Sequence, residues 1–229
     1  MRKPYLSILL TLLITVSLIS PILASPVVPS VSADLAQQML IDGNKRFISE
    51  KYADLQLGQV RRTELAKGQH PFAVIVSCSD SRVPPELLFD QGLGDLFVVR
   101  VAGNVLDAIE LGSVEYAVEH LGAKLIVVLG HEKCGAVKAT VDGGEVPPNI
   151  KAIAAKIQPA VTAAKAANSI NVYEAATDAN VLNMVAALHA DPVIAHVSDV
   201  KILGAKYHLE SGAVEFIKYN IPNPAINHH

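Results

Sequence analysis

The sequence predicts an α/β fold: a mostly parallel central β-sheet flanked by helices, with a hairpin or edge strand at its carboxyl-terminal end. Three short apolar runs at 72–76, 96–101 and 125–129 are rich in β-branched residues, as buried strands are. A segment with helical periodicity separates the last two runs. A helical crossover of this kind joins strands that run parallel in one sheet.

Two helices are predicted before the first strand. Residues 34–49 carry apolar side chains at helical spacing, namely Leu35, Met39, Leu40 and Phe47. Residues 60–67 form a second, shorter candidate. The chain is therefore expected to enter its first strand from a helical amino-terminal segment.

A third helix is predicted between the second and third strands. Apolar residues recur along one of its faces, and Gly122 follows as a helix stop. These apolar residues are Leu106, Ile109, Val114, Ala117, Val118 and Leu121. This helix is the crossover that makes the neighbouring strands parallel.

The last third of the chain predicts two Ala-rich helices and a hairpin. The helices span 149–168, with a bend at Pro159, and 180–189. The runs at 200–207 and 213–217 flank a turn that contains a glycine, as in a terminal hairpin. The helices are expected to pack on the same sheet.

Composition bounds the class of protein. The chain has 229 residues, of which 51% are hydrophobic, enough for one sizeable core. The formal net charge is −3, there is no Trp, and the basic residues are scattered. A nucleic-acid-binding surface needs clustered basic residues, so nucleic acid is excluded as an expected partner.

Residues 1–33 have the pattern of a secretory signal peptide and short leader. Arg2 and Lys3 precede an apolar stretch, and small residues follow around Ala24 and Ala33, where cleavage is expected. An uncleaved membrane anchor is the alternative. We expect a single catalytic domain at 34–229, exported to the periplasm or outside the cell, with no membrane contact after cleavage.

The only two cysteines stand at the ends of predicted strands. Cys78 follows the first strand, and His131 follows the third, with Cys134 three residues later. The carboxyl ends of parallel strands gather ligands at one edge of a sheet. Thiolate and imidazole are preferred zinc ligands, and three of them leave a fourth position open. A Cys78–Cys134 disulfide is the alternative in an oxidising compartment.

Asp80 and Arg82 follow Cys78 closely, and Asp80 has two possible roles. Its carboxylate could accept a hydrogen bond from the attacking oxygen, or it could bind zinc as a fourth ligand in a closed state. The planar guanidinium of Arg82 can pair bidentately with this carboxylate and keep it off the metal. An ordinary surface ion pair is the simpler alternative.

These motifs resemble those of the β-class carbonic anhydrases, and the similarity covers nearly all of the chain after the signal peptide. The matching motifs are Cys78-Ser79-Asp80-Ser81-Arg82, His131-x-x-Cys134-Gly135, Gly68-Gln69-His70-Pro71, Phe97-Val98-Val99-Arg100, Glu115-Tyr116-Ala117-Val118 and Gly204-Ala205-x-Tyr207. The paired cysteine motifs at this separation are highly specific.

The resemblance implies a site and a partner. The implied roles are zinc binding by Cys78, His131 and Cys134, a catalytic dyad of Asp80 and Arg82, and a substrate pocket lined in part by Gln69, Phe97 and Tyr116. The family's pocket usually forms at a dimer interface, which implies a homodimer or a higher homo-oligomer.

Two small residues bear on the same pocket. Gly135 could let the backbone approach a bound anion closely, although a plain turn glycine is an equal alternative. Ala102 stands where related pockets commonly have a bulkier valine, which implies a slightly roomier cleft.

The expected function is that of a zinc lyase, carbonate dehydratase, which hydrates carbon dioxide reversibly to bicarbonate and a proton. In the expected reaction zinc-bound hydroxide attacks carbon dioxide and the Asp80–Arg82 dyad orients it. Two alternatives stay open. One is hydrolysis of another small heterocumulene, such as carbon disulfide or carbonyl sulfide, and the other is a noncatalytic zinc-binding protein.

Overall fold

A single five-stranded sheet organises residues 31–218, which are the residues that the computed structural model describes. Its strands are β1 (Ala73–Ser77), β2 (Leu96–Arg100), β3 (Leu125–His131), β4 (Lys201–Tyr207) and β5 (Val214–Ile217). Their order is β2-β1-β3-β4-β5. All neighbouring pairs are parallel except β4 and β5, which form the predicted antiparallel hairpin.

Eight α-helices surround the sheet in the described part of the chain. They are α1 (Ala33–Ile48), α2 (Gln59–Leu65), α3 (Pro85–Leu88), α4 (Ala108–Glu119), α5 (Gly135–Asp142), α6 (Pro148–Ala166), α7 (Val172–Ala190) and α8 (Pro192–His196). A short 3-10 helical turn, Ala102–Asn104, follows β2. The predicted signal peptide lies outside the described residues, except for the end of its leader.

Helices cover both faces of the sheet, so the central strands are buried throughout. Alternate residues of β1 point to opposite faces, Val74 and Val76 to one and Ala73 and Ile75 to the other. Helices α4 to α8 contribute to the first core, whereas α1 and α3 contribute to the second. This double covering explains why the strands are continuous apolar runs rather than alternating ones.

The structure corrects three details of the sequence prediction. Ile109 is 82% exposed, so it does not belong to the buried face of α4, which Val114, Ala117 and Val118 form. The cause is helical phase: at about 100° per residue, Ile109 lies about 140° from Val114 and on the opposite side of the helix from Val118. Asn171 caps α7 and extends it well before the predicted start. Helix α5 had no prediction of its own.

The remaining predicted elements are present, with ends that differ by a few residues. Pro159 lies inside α6, which is one continuous helix.

Among residues 31–218, no helix combines the length and the apolar character needed to cross a lipid bilayer.

Candidate metal centre

Three buried side chains meet at the carboxyl edge of the sheet. The ligand atoms of Cys78, His131 and Cys134 all lie within 4.8 Å of one another. Strands β1 and β3 are adjacent and parallel, so the residue after β1 and the last residue of β3 reach the same edge. Cys134 stands at the start of α5. Both cysteines are free thiols, so the disulfide alternative finds no support.

His131 is oriented as a metal ligand would be. Its Nδ1 lies 2.8 Å from the carbonyl oxygen of Glu132, which can only accept, so Nδ1 carries the proton. Its Nε2 is buried and has no hydrogen-bond partner among the described residues. A buried nitrogen with a free lone pair beside two sulfur atoms fits a tetrahedral zinc ion, because nitrogen and thiolate sulfur are its ligands in proteins.

The two thiols share one hydrogen bond. A hydrogen bond from Cys134 is the largest of the contacts that together outweigh burial and lower the pKa of Cys78 to about 4, and the backbone amide of Gly103 is among the others. The same contact with Cys78, together with burial, raises the pKa of Cys134. Without a metal the pair therefore holds one proton, and a bound cation would displace it because metal-bound cysteine is a thiolate.

Arg82 clamps Asp80 as predicted. Arg82 Nε donates to Asp80 Oδ1 at 2.9 Å, and Arg82 Nη2 donates to Asp80 Oδ2 at 2.7 Å. This pairing lowers the pKa of Asp80 to about 2, so the carboxylate is ionised. Asp80 Oδ2 lies 3.8 Å from His131 Nε2, which places the carboxylate beside the three candidate ligands.

Three hydrogen bonds from Arg100 and Gly103 hold the loop that carries Cys78 and Asp80. Arg100, the last residue of β2, donates from Nε to the Cys78 carbonyl at 3.0 Å and from Nη2 to the Asp80 carbonyl at 2.6 Å. The amide of Gly103 donates to Cys78 Sγ at 3.3 Å. Neither Arg100 nor Gly103 was a predicted site residue. The position of Arg100, at the end of a strand next to the one that leads to Cys78, could have indicated its role.

Ala102 and Gly135 line one side of a cleft of about 700 Å³ between α5 and α6. The rest of its wall is mainly apolar and includes Ala136, Ile150 and Ile153. A Cβ atom at Gly135 would meet nothing within 4 Å, so packing does not require glycine there. The predicted approach of its backbone to an anion remains a prediction.

The other three predicted pocket residues lie elsewhere in the chain. Gln69 is exposed and lines a separate, shallow cleft with Leu65 and Gly94. Phe97 on β2 and Tyr116 on α4 lie together, with ring centroids 6.4 Å apart, and Tyr116 is 46% exposed. None of the three lines the cleft that contains Ala102. Asp80 and the three candidate ligands do not line this cleft either, so it is distinct from the space between the ligand atoms.

Comparisons with known proteins decide the family. The family model described as carbonic anhydrase matches residues 73–214. A carbonic anhydrase of Mycolicibacterium smegmatis is 43% identical over 195 residues, which cover 82% of this chain and 94% of that relative. The chain belongs to the carbonic anhydrase family.

Solved structures place this carbonic anhydrase in the β class. A β-carbonic anhydrase of Aspergillus fumigatus is 26% identical, covers 79% of this chain and 90% of its own, and superposes with a TM-score of 0.65. A structure from a study of two tetrameric β-carbonic anhydrases of Sordaria macrospora gives a TM-score of 0.66 at 22% identity, over 79% of this chain and 96% of that one. The predicted fold and the predicted family are both confirmed.

Proposed function

We propose that this β-class carbonic anhydrase hydrates carbon dioxide with a zinc ion held by Cys78, His131 and Cys134. The observation that carries the proposal is the buried three-ligand group with an ionised carboxylate beside it. When bound, zinc supplies Lewis acidity, which lowers the pKa of water and makes a nucleophile available near neutral pH. Two thiolates and a neutral imidazole suit this ion.

The chain's own residues hold and orient the reactants. The Glu132 carbonyl fixes the ring of His131, so that Nε2 faces the two sulfur atoms. Asp80 is acceptor-only when ionised, so it takes a hydrogen bond from the O–H of the attacking oxygen and aligns that oxygen for attack. Arg82 occupies both carboxylate oxygens, which supports an open site over a state in which Asp80 is the fourth ligand.

A second copy of the chain would complete the substrate pocket. Phe97 lies on the edge strand β2, and Tyr116 beside it is exposed although it is a large aromatic residue. The cleft with Ala102 and Gly135 lacks the aromatic side that the family pattern implies. In a homodimer or higher oligomer, Gln69, Phe97 and Tyr116 of one copy would face the cleft of another.

Export and a single domain complete the proposal. The pattern of residues 1–33 supports a cleaved secretory signal, and the one sheet with two cores supports a single catalytic domain from residue 34 onward. The enzyme would then equilibrate carbon dioxide and bicarbonate outside the cytoplasm, in the periplasm or the surrounding medium.

A second activity is supported by one position. Ala102 lines the cleft between α5 and α6 and stands where related pockets commonly have a bulkier valine, so less side-chain volume occupies that position. Hydrolysis of carbon disulfide or carbonyl sulfide at the same site is therefore the second candidate function.

Stopped-flow measurement of carbon dioxide hydration by the zinc-loaded mature protein tests the proposal, with carbon disulfide and carbonyl sulfide assayed in parallel. We expect rapid, zinc-dependent turnover that rises from mildly acidic to alkaline pH, because two thiolates neutralise the ion and weaken its effect on water. A flat or falling pH profile would contradict this site chemistry. Turnover of a sulfur-containing substrate alone would establish the second candidate instead.

A further inference from the structure

The 3-10 helical turn Ala102–Asn104 touches the candidate metal centre through one backbone amide. Gly103 N–H donates to Cys78 Sγ at 3.3 Å, and both groups are buried. A hydrogen bond to a thiolate withdraws negative charge from the sulfur. It therefore reduces the electron density that the sulfur donates to a bound metal. The position of this turn therefore matters to one of the three candidate ligands.

The backbone of the turn Ala102–Asn104 has a conformation that needs stabilising contacts from neighbouring residues. Gly103 has a φ of 73° and Asn104 a φ of 45°, so two successive residues lie in the left-handed region. A Cβ at residue 103 would come within 2.7 Å of Ile157 Cδ1 and 3.2 Å of Ala136 Cβ, so another residue would have to displace Ile157 and would be strained at this positive φ. Backbone of this kind persists when neighbouring groups fix it.

The group that fixes the turn is Asn180, in the middle of α7. Its side chain is fully buried, and Nδ2 donates to the Gly103 carbonyl at 2.8 Å. A carbonyl can only accept, so the amide nitrogen must face it. Both backbone groups of Gly103 are thereby used: the carbonyl is tied to α7, and the N–H points at Cys78.

We propose that Asn180 is a positioning residue of the metal site, which acts through Gly103 on the sulfur of Cys78. This inference rests on the proposed metal site. Among the described residues no hydrogen bond joins Asn180 to a candidate ligand, and its hydrogen-bonded path to the site runs through the Gly103 carbonyl and the Gly103 N–H to Cys78 Sγ. Loss of the amide donor would leave a buried carbonyl without a partner and release the turn.

Asn44 provides a matched control. It is also a buried asparagine, and its Nδ2 donates to the carbonyls of Leu88 and Gly212 at 3.0 Å and 2.9 Å. These contacts join α1 to the end of α3 and to the turn of the terminal hairpin. The same Asn→Asp change at either site removes a buried donor from a carbonyl, but only Asn180 is connected to Cys78.

The experiment compares Asn180→Asp and the milder Asn180→Ser with Asn44→Asp, each as the full mature chain. Zinc affinity is measured by chelator competition, and the sulfur-to-metal charge-transfer band is recorded after cobalt substitution. We expect zinc affinity to fall about 10- to 100-fold and the cobalt band to shift in the Asn180 variants. Asn44→Asp should leave both unchanged even where it lowers thermal stability.

A measurement on the unaltered protein covers the case in which the Asn180 variants do not fold. With NMR-active cadmium in the site and nitrogen-labelled glycine, the Gly103 amide proton should show coupling to the metal through Cys78 Sγ. Absence of that coupling would overturn the inference, as would folded Asn180 variants with wild-type affinity and cobalt spectrum. Failure of the unaltered protein to bind zinc or cobalt at all would instead overturn the proposed function.

Discussion

Side chains at the carboxyl edge of the sheet and side chains beside the edge strand β2 differ in their exposure to solvent. At the first, Cys78, His131 and Cys134 are 5%, 0% and 3% exposed and lie together. At the second, Tyr116 and Ile109 of α4 are 46% and 82% exposed. One group is complete within a chain, whereas the other presents large apolar side chains to solvent.

The difference shows which part of the site a single chain can build. The carboxyl ends of parallel strands lie at one edge of the sheet, so the three candidate ligands meet within a single chain. Apolar side chains beside an edge strand gain nothing from exposure and mark a surface for association. This contrast supports the proposal that one copy supplies the metal group and another copy supplies the aromatic side of the pocket.

The largest expected effect comes from a change in the buried group. Cys78→Ser should abolish stable zinc binding and carbon dioxide hydration, because a serine hydroxyl is a poor ligand for this ion. Metal content after dialysis and stopped-flow turnover measure the two losses. Ser79→Ala, an exposed neighbour in the same loop, is the control and should keep both. Full zinc content in Cys78→Ser would remove this residue from the ligand set.

The next effect separates orientation from metal binding. Arg82→Ala should keep zinc but lose on the order of 10²- to 10³-fold in turnover, because Asp80 loses the donors that hold its carboxylate. Arg62→Ala, an exposed arginine on α2, should change neither quantity. Unchanged turnover in Arg82→Ala would show that the pair is an ordinary surface ion pair.

A mixing experiment tests whether the two halves of the site come from different copies. Cys78→Ser and the double variant Phe97→Ala, Tyr116→Ala should each be nearly inactive alone. After random exchange of subunits in a dimer, about a quarter of the sites would combine an intact metal group with an intact aromatic group. Carbon dioxide hydration should return in proportion to these sites. Recovery no greater than the sum of the separate activities would place both halves in one chain.

The smallest effect concerns the ion pairs that join β4 to α7. Lys206 on β4 pairs with Asp178 at 2.8 Å and Glu174 at 3.5 Å, and its side chain is only 14% exposed. Burial opposes its charge, but these carboxylates outweigh burial and raise the pKa of Lys206. Lys206→Met should lower the free energy of unfolding by about 1 kcal/mol at neutral pH.

The pH dependence of that effect has a defined sign. A pKa raised on folding stabilises the protein below the unfolded value of 10.5 and loses that contribution as pH rises through the folded value. The stability difference between wild type and Lys206→Met, from denaturant unfolding, should therefore shrink in strong alkali. Lys45→Met, which removes an exposed pair with Asp42, should show little difference at any pH. A constant Lys206 difference would assign the effect to packing.

Sequence periodicity predicted most of the fold, and the misses have local causes. The buried strands were evident because short runs of apolar, β-branched residues are typical of strands that are covered on both faces of a sheet. Ile109 was assigned to the wrong face because it was grouped with Val114 and Val118, although spacings of five and nine residues place it on the other side of a helix. Helix α5 was missed because eight residues make only about two turns, too few for the buried positions Val137, Thr140 and Val141 to stand out as a pattern.

The site was predicted unevenly for a similar reason. Cysteine, histidine and a nearby Asp–Arg pair are chemically distinctive, so their types and their places after strands indicated a metal group and its clamp. Asn180 and Gly103 are common residues that gain a role only from contacts across 77 positions of sequence. No local pattern marks such a contact.

By itself the sequence determined the α/β class, the mostly parallel direction of the strands and the identity of the three candidate ligands, because each depends on residue type and short-range spacing. Tertiary structure alone decided that the sulfur and nitrogen atoms meet within 4.8 Å and that Arg100 and Gly103 support the Cys78 loop. It also decided that Phe97 and Tyr116 lie apart from the cleft of their own chain. These facts depend on how distant segments pack, which no single segment encodes.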